Sequence, residues 1–367
     1  MNVWGNAIKL SIFGESHGAA VGIVVDGLPA GEVIDEGAVT REMERRAPGR
    51  GPLATARRET DALEVLSGLY GGKTTGFPVC GVIRSADARP DVYNAALRPG
   101  HADWTALLKY GGHADMRGGG HFSGRLTAPL VFAGSLAKQI LARKNIEALA
   151  RIASIESIED NEWRNDGMTN DREGFRALSS LDFPASPGVG MVMKKAIEAA
   201  RDAGDSVGGV VEGAVFGLPG GLGEPFFGSM ESAAASLLFS IPAVKGVEFG
   251  DGFRLAAMRG SEANDSLYVR NGVIGARTNH NGGILGGITN GLPLVVRAAF
   301  KPTPSIAHPQ DSVDAVMMKN IILEIKGRHD PCVTPRAVPV VEACLALCVL
   351  DMLLTFKGTN SVGGIKQ

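Results

Sequence analysis

Glycine is the residue that most constrains how this chain can fold. Fifty of its 367 residues are glycine, about twice the ordinary share in globular proteins, and they follow no collagen-like period. Many of them cluster at 98–125, 217–223 and 282–291. Glycine permits tight turns and lets the backbone approach a ligand closely. The sequence therefore predicts a globular protein in which glycine-rich loops build a ligand site.

Apolar patterning predicts strands and helices that do not alternate regularly. Strands are expected at 8–13, 20–25, 61–69, 79–83, 148–155, 207–216 and 294–300. Helices are expected at 34–46, 135–144, 188–203, 230–239 and 337–354. Ser135 is the expected N-cap of the second helix, and 98–125 is expected to be loop. Because strands and helices do not alternate, we predict an α+β fold rather than a doubly wound sheet.

The charge balance excludes several classes of partner. The chain has 37 Lys and Arg against 39 Asp and Glu, a net charge of −2, so nothing attracts the whole molecule to nucleic acid or to an anionic membrane. Residues 1–10 lack the charged start and apolar run of a secretory signal. The longest apolar stretch, 337–354, contains Pro339, Glu342 and Asp351, which makes it a poor membrane span. We expect no nucleic-acid partner and no membrane partner.

Cysteine usage indicates a reduced, cytoplasmic protein. Four cysteines in a chain of this length are too few for a disulfide scaffold. Cys344 and Cys348 are four residues apart on a predicted apolar helix, where a metal site would need further ligands. We therefore favour core packing for this pair and predict no metal site.

Histidine is concentrated in predicted loops. None of the seven histidines falls in a predicted helix, and most adjoin Gly, Asp or Asn; they are His17, His101, His113, His121, His280, His308 and His329. Loops held by a scaffold are where catalytic groups concentrate, and histidine titrates near neutral pH. The pattern favours a shared site over seven unrelated surface residues.

Arginine is concentrated between positions 41 and 58, where no lysine occurs. The six residues are Arg41, Arg45, Arg46, Arg50, Arg57 and Arg58. Arginine used alone suits bidentate binding of carboxylate or phosphate. For Arg41, Arg45 and Arg46 a helix face paired with Glu42 and Glu44 is the alternative. Both interpretations remain open for this cluster.

Two segments nearly match known motifs. Residues 14–18, Gly-Glu-Ser-His-Gly, fit the nucleophile elbow of serine hydrolases, but that elbow needs a helix directly after the serine, and a strand is predicted at 20–25. Residues 119–126 have the spacing of a P-loop, yet Arg125 and Leu126 replace its Lys and Ser/Thr. A hydrolase using Ser16 is therefore the weaker alternative, and a backbone cradle for phosphate remains open.

Two polar turns complete the set of candidate segments. Residues 328–331, Arg-His-Asp-Pro, place a cation, an imidazole and a carboxylate side by side before the last helix. Residues 301–305, Lys-Pro-Thr-Pro-Ser, form a rigid turn with hydroxyls and an ammonium after a strand. Together these features predict an enzyme with a pocket of His, Arg and Asp for a small anionic substrate.

Taken in chain order, these segments resemble the chorismate synthase family. The resemblance runs from Gly14 to about Asp351 and rests on 14–18, 98–103, 217–225, 243–253, 279–287, 301–305 and 326–332. It implies one catalytic domain over 1–367 with a flexible tail at about 358–367, a helical layer between two antiparallel sheets, and a homotetramer. It also implies a reaction, the anti-1,4-elimination of phosphate from 5-enolpyruvylshikimate 3-phosphate to give chorismate, with reduced FMN as cofactor.

The resemblance also implies residue roles. His17 is the expected general acid toward phosphate, His101 balances the reduced flavin, and Asp330 assists proton removal. The implied flavin contacts are His121, Phe122, Ser123, Gly286, Lys301, Pro302, Thr303, Pro304, Ser305, Arg328 and Arg46. The implied contacts to substrate anions are Arg46, Arg50, Arg125 and Arg336. Arg46 also matches a position associated with NADPH.

This chain departs from the common family pattern at three places. Residues 121–126 read His-Phe-Ser-Gly-Arg-Leu where many members have Arg-Ser-Ser-Ala-Arg-Glu, Pro242 replaces an Asn, and Pro52 replaces a second arginine. No G-x-G-x-x-G lies between a strand and a helix, so we expect a separate flavin reductase to supply reduced FMN, with NADPH as a possible direct reductant. The non-enzymatic alternative is a module that binds small anions or flavin without turnover.

Overall fold

Two five-stranded antiparallel sheets form the framework of the protein. A computed structural model describes residues 2–47, 61–85, 95–160, 171–325 and 330–356. The first sheet has the order β1-β2-β3-β7-β4, with β1 at Val3–Trp4, β2 at Lys9–Gly14, β3 at Ala20–Asp26, β4 at Leu63–Ser67 and β7 at Val79–Arg84. The second has the order β11-β16-β10-β8-β9, with β8 at Glu147–Ile155, β9 at Ile158–Glu159, β10 at Gly209–Phe216, β11 at Val244–Phe249 and β16 at Leu294–Phe300.

Two-stranded hairpins and α-helices accompany the two sheets. The hairpins are β5 (Leu69–Tyr70) with β6 (Lys73–Thr74), β12 (Leu267–Arg270) with β13 (Val273–Ala276), β14 (Ile284–Leu285) with β15 (Ile288–Thr289), and β17 (Gln310–Asp314) with β18 (Lys319–Leu323). The helices are α1 (Glu36–Arg46), α2 (Asp103–Tyr110), α3 (Thr127–Ala142), α4 (Arg172–Ser179), α5 (Pro187–Asp202), α6 (Met230–Leu238), α7 (Gly260–Ala263) and α8 (Thr334–Thr355).

Helices α3 and α8 fill the space between the two sheets. Helix α3 packs on β3 and β7, helix α8 packs on β8 and β10, and the two helices pack on each other. They approach closely because Gly134 faces Ala343, where a Cβ on the glycine would lie 2.2 Å from the Ala343 Cβ. Both helices are apolar on nearly every side because protein surrounds them. The α+β class, with a helical layer between two antiparallel sheets, is therefore confirmed.

Helix α8 also shows why a hydropathy pattern alone is ambiguous. It is long and apolar enough to cross a membrane, but 89% of its apolar window is buried inside the protein. Cys344 and Cys348 lie in this buried part, as expected for core packing, and burial raises the pKa of both thiols.

Two secondary-structure predictions are wrong. Helix α3 begins at Thr127, so Ser135 is not its N-cap; Ser135 is buried within the helix and its hydroxyl donates to Phe132 O at 2.7 Å. The start was missed because the N-cap, Leu126, makes no capping hydrogen bond through its side chain. The stretch 98–125 is not entirely loop, because it contains α2. The N-cap of α2, Ala102, likewise makes no capping hydrogen bond through its side chain.

Candidate active site

One cleft with a volume of about 760 Å³ lies where the glycine-rich segment 98–125 meets the helical layer. This volume is within the usual range for small-molecule sites. Its walls come from 98–105, from 116–127, from the turn after α6, from the ends of β11 and β16, and from the start of α8. Of the three glycine clusters expected to build a site, 98–125 lines the cleft, whereas 217–223 and 282–291 do not.

The most basic wall is built around one buried carboxylate, Asp61. Arg46, the last residue of α1, donates from Nη1 to Asp61, from Nε to Thr127 Oγ1 at 3.2 Å and from Nη2 to Gly124 O at 3.1 Å. Arg125 Nη1 lies 3.8 Å from Asp61 Oδ1. Two guanidinium groups of the cleft wall therefore lie against the same carboxylate.

Burial and neighbouring cations perturb Arg46. Burial, with Arg336 and Arg125 nearby, lowers the pKa of Arg46 to about 10 against the opposing effect of Asp61. The guanidinium remains charged at neutral pH, but an anion placed beside it would relieve both the desolvation and the repulsion.

Asp330 and Arg336 form the second charged pair in the cleft. Arg336, in the first turn of α8, donates from Nη1 to Asp330 Oδ2 at 2.5 Å and from Nε to Arg46 O at 3.2 Å. Arg336 therefore orients the Asp330 carboxylate and ties the end of α1 to the start of α8.

His101 is held by the turn that follows β16. Its Nε2 lies 2.7 Å from Ser305 Oγ, and Ser305 is buried. Nearby, Arg98 forms a bidentate pair with Asp103 at 2.8 and 2.7 Å. Burial opposes ionisation of Asp103, but the hydrogen bonds from Arg98 outweigh it and lower the pKa of this carboxyl. The pair keeps the loop before α2 in place around His101.

The glycine segment at 117–122 places His121 in the cleft. His121 Nδ1 lies 2.7 Å from Gly14 O, and because a carbonyl only accepts, Nδ1 donates and Nε2 is left for other partners. His17 lies behind this segment: a Cβ on Gly118 would be 2.4 Å from His17 Nε2. Gly118 lines the cleft and His17 does not.

The turn at 301–305 contributes polar groups to the opposite wall. Lys301 donates from Nζ to Gly100 O. The Thr303 hydroxyl is buried and has no hydrogen-bond partner among the described residues, although Thr303 also lines the cleft. Because an unpaired buried hydroxyl is costly, this group suits a polar ligand. The volume, the cations and the free hydroxyl together fit a phosphorylated cofactor such as FMN.

Most of the site residues expected from the sequence meet in this cleft. Those that line it are Arg46, His101, His121, Phe122, Ser123, Arg125, Lys301, Thr303, Pro304, Ser305, Asp330 and Arg336. Pro302 lies between two lining residues, and Gly286 lies in the turn between β14 and β15, away from the lining set. Arg50 and Arg328 lie outside the described residues.

The shared-site interpretation of the histidines holds only in part. His101 and His121 line the cleft, whereas His113, His280 and His308 do not. His280 instead pairs with Asp251 at 2.8 Å, and His308 with Ala203 O at 2.9 Å. Their glycine- and asparagine-rich surroundings are turn sequences elsewhere in the fold. His329 lies outside the described residues.

The arginine cluster splits in the same way. Arg46 faces the cleft, but Arg41 pairs with Asp35 at 3.4 Å and Arg45 with Glu42 at 3.0 Å. Asp61, the partner of Arg46, was not predicted from the sequence, because no local pattern marks a carboxylate that lies 15 residues away along the chain. Arg57 and Arg58 lie outside the described residues.

Comparison with known proteins identifies the family. A family model described as chorismate synthase matches residues 8–354, nearly the whole chain. The chain belongs to the chorismate synthase family. It is 46% identical to the chorismate synthase of Korarchaeum cryptofilum, with 96% of this chain and 97% of that protein covered. It is 47% identical to that of Aeropyrum pernix, with 95% and 92% covered.

A solved structure agrees. The chain superimposes on a structure described as "Crystal Structure of Chorismate Synthase" with a TM-score of 0.76 and 28% identity, over 96% of this chain and 93% of that one. Chorismate synthases are carbon–oxygen lyases of aromatic amino acid biosynthesis, and the chain is an enzyme of that class.

The serine-hydrolase alternative loses its structural support. Ser16 is 2% exposed, and strand β3, not a helix, follows residues 14–18. In this lyase the segment 14–18 instead contacts the glycine loop, through Ser16 N to Gly120 O at 3.0 Å.

Proposed function

We propose that the cleft binds 5-enolpyruvylshikimate 3-phosphate together with reduced FMN and catalyses anti-1,4-elimination of phosphate to give chorismate. The substrate loses a phosphate and a proton, and a new carbon–carbon double bond forms. When bound, the reduced flavin would supply electron density that assists the departure of phosphate and is then regained, so that no net oxidation occurs.

The observation that carries this proposal is the concentration of arginines in one wall of the cleft. Arg46 and Arg125 lie against the Asp61 carboxylate, and they line the same cleft as Arg336. A substrate with one phosphate and two carboxylates matches such a wall. Exclusion of water from the cleft on binding would strengthen these interactions and hold the substrate in one orientation.

The remaining roles follow from what holds each group. Asp330, oriented by Arg336, is proposed to assist removal of the substrate proton. His101, held by Ser305, is proposed to balance the charge on the reduced flavin. The flavin would be held by the turn at 301–305 and by 121–123. His17 is the proposed acid toward phosphate, a role that requires its ring to reach past Gly118.

The assembly and the source of reduced flavin are also proposed. We infer a homotetramer and a cytoplasmic location. Hairpins β12–β13 and β17–β18 expose large apolar side chains such as Val269 and Met318, which supports association of copies. Reduced FMN would come from a separate reductase, or directly from NADPH near Arg46. Sedimentation analysis tests the tetramer, and NADPH oxidation by the isolated protein with FMN tests the reductant.

Anaerobic phosphate release from 5-enolpyruvylshikimate 3-phosphate tests the reaction. We expect release and chorismate formation with reduced FMN and neither with oxidised FMN. Binding of flavin and substrate without turnover would instead indicate a small-anion or flavin-binding module. Asp330→Asn should slow single-turnover chemistry by about 100-fold, as expected for loss of acid–base assistance, while substrate still binds; a wild-type rate would remove Asp330 from the mechanism.

A further inference from the structure

Asp61, the carboxylate behind the basic wall of the cleft, lies on an unusual piece of backbone. Its φ is +42°, on the left-handed side that residues other than glycine rarely adopt. Its side chain is fully buried, and among the described residues no hydrogen bond reaches Oδ1. Strained backbone and an unmet buried acceptor both cost free energy. Strained residues persist where the surrounding structure holds them, and they cluster at ligand sites.

The Asp61 carboxylate holds one cleft arginine directly. Arg46 donates from Nη1 to Asp61 Oδ2, whereas Arg125 Nη1 lies 3.8 Å from Oδ1, beyond hydrogen-bond distance. Thr127 Oγ1 accepts from Arg46 Nε, and Gly124 O accepts from Arg46 Nη2. Acceptors on three sides therefore fix the plane of the Arg46 guanidinium, and its remaining N–H groups are available to a ligand.

Asp61 can act on a ligand in the cleft only through another side chain. Arg46 and Thr127 line the cleft, and Asp61 does not. An arginine side chain loses much rotamer freedom when a ligand fixes it. A guanidinium that the protein already holds in place loses less, which favours binding. Fixing Arg46 in advance should therefore strengthen the binding of an anion.

The charge of Asp61 has the opposite effect on an anion. A carboxylate repels a nearby anion, and it competes with that anion for the same guanidinium. The surroundings of Arg46 favour orientation over repulsion, because its side chain is only 4% exposed and lies near the cations Arg336 and Arg125. A buried cation without its carboxylate is poorly solvated and repelled there, so we expect the guanidinium to turn away when Asp61 loses its charge.

We propose that Asp61 is a positioning residue, which aims Arg46 at a substrate anion and strengthens substrate binding although its own charge opposes an anion. The inference rests on the proposed function, because Arg46 is assigned there to the substrate. It adds a residue that no motif marks and that lies outside the lining of the cleft.

The substrate affinity of an Asp61 variant tests the sign of this effect. Asp61→Asn removes the charge and keeps the size of the side chain, and asparagine tolerates a positive φ. Calorimetry measures the dissociation constant of 5-enolpyruvylshikimate 3-phosphate at a temperature where thermal unfolding shows each variant to be folded. We expect Asp61→Asn to weaken binding by about fivefold or more, a usual size for coupling between contacting residues. Unchanged or tighter binding would overturn the proposal.

Asp160→Asn is the matched control. Asp160 Oδ2 lies 3.1 Å from Arg151 Nη1, and both side chains are fully buried, so this variant also takes a carboxylate from a buried arginine. Neither residue lines the cleft. The control should lose stability, as Asp61→Asn does, but bind substrate like wild type. Equal weakening of substrate binding in the two variants would reveal a general structural effect and remove the special role of Asp61.

A double-mutant cycle shows whether Asp61 acts through Arg46. In Arg46→Gln there is no guanidinium to aim, so adding Asp61→Asn should change substrate affinity by less than about twofold, the ordinary scatter of such cycles. A further loss as large as that of Asp61→Asn in wild type would contradict the proposal. The comparison is still decisive if Asp61→Asn alone does not fold, because the double variant removes both members of the buried pair.

Phosphate release judges the proposed reaction separately. If wild-type protein releases phosphate with reduced FMN but Asp61→Asn binds substrate normally, only the role of Asp61 fails. If the coupled loss of affinity is found but no phosphate is released, the role of Asp61 stands and the reaction fails. If wild-type protein does not bind the substrate, both fail.

Discussion

Arg45 and Arg46 are neighbours on α1 but belong to opposite kinds of ion cluster. Arg45 points to Glu342 in the middle of α8, with Nη1 and Nη2 at 2.6 and 2.9 Å from the carboxylate oxygens. Arg46 points to Asp61 in the cleft. Burial alone would lower the pKa of Arg45, but Glu342 outweighs it and raises that pKa, whereas the pKa of Arg46 falls.

The cluster around Glu342 is charge-balanced and fully satisfied. Lys138 bridges Glu342 at 2.7 Å and Glu42 at 2.9 Å, so two cations, Arg45 and Lys138, face two carboxylates. Glu342 also accepts from Ala150 N and Ser179 Oγ. This network joins α1, α3, α4 and β8 to α8, and it leaves no charge for a ligand.

The cluster around Asp61 lies at the cleft instead of between the helices of the core. Arg46 and Arg125 face one carboxylate, and the group borders the cleft. The difference between the two clusters separates structural from functional arginines better than burial does, because Arg46 is the more deeply buried of the neighbouring pair. The Glu342 cluster stabilises the fold, and the Asp61 cluster presents arginines to the cleft.

The largest expected effect is loss of the buried carboxylate. Glu342→Gln leaves Arg45 and Lys138 with only Glu42, and we expect the free energy of unfolding to fall by about 3–5 kcal/mol. Chemical denaturation measures it. Glu173→Gln, which breaks a pair with Arg176 at an 80% exposed side chain, is the control and should cost less than about 1 kcal/mol. Equal losses would show that the buried network is not special.

Acid should remove part of the same stabilisation. Burial would raise the pKa of Glu342, but Lys138 and Arg45 outweigh it and lower that pKa below 4.5. A carboxyl group whose pKa is lower in the folded than in the unfolded protein stabilises the fold at pH values above its unfolded-state pKa. That stabilisation is lost as the pH falls through the folded-state pKa. The stability difference between wild type and Glu342→Gln should therefore shrink below about pH 4.5. A difference that stays constant down to pH 3 would contradict this assignment.

A smaller effect is expected in the glycine segment of the cleft. Gly118→Ala adds a Cβ 2.2 Å from the His17 ring at a φ of +60°, whereas Gly119→Ala adds one at a φ of +92° with its nearest neighbour at 3.6 Å. Both variants carry backbone strain at a positive φ, and only Gly118→Ala adds a close contact with His17. We expect Gly118→Ala to be less stable than Gly119→Ala by about 1–3 kcal/mol and to lose more activity. Equal stabilities would show that His17 moves freely.

The sequence allowed most of the fold to be predicted, because its strands and helices carry clear apolar periodicity. Strand β16 was predicted over its full length, and β3 to within one residue. The errors arose where a boundary lacks a polar signal, as at Thr127, or where a short helix such as α2 is built from mostly exposed residues. Neither position offers a local sequence cue.

The site was predicted less completely, and the reason is physical. Residue type showed that Arg46 and His101 suit anion chemistry, but type cannot show which arginine a helix directs inward, as the divergence of Arg45 and Arg46 demonstrates. A partner such as Asp61 depends on contacts between residues that are distant along the chain. Those are properties of the folded molecule.

The most direct test compares the two neighbouring arginines. Arg45→Gln and Arg46→Gln are compared by unfolding and by calorimetric affinity for 5-enolpyruvylshikimate 3-phosphate, at a temperature where both are folded. We predict that Arg46→Gln weakens substrate binding by about tenfold or more, whereas Arg45→Gln binds substrate like wild type. Arg45→Gln should lose more of the free energy of unfolding than Arg46→Gln. Equal weakening of substrate binding in both variants would contradict the division into a structural and a functional cluster.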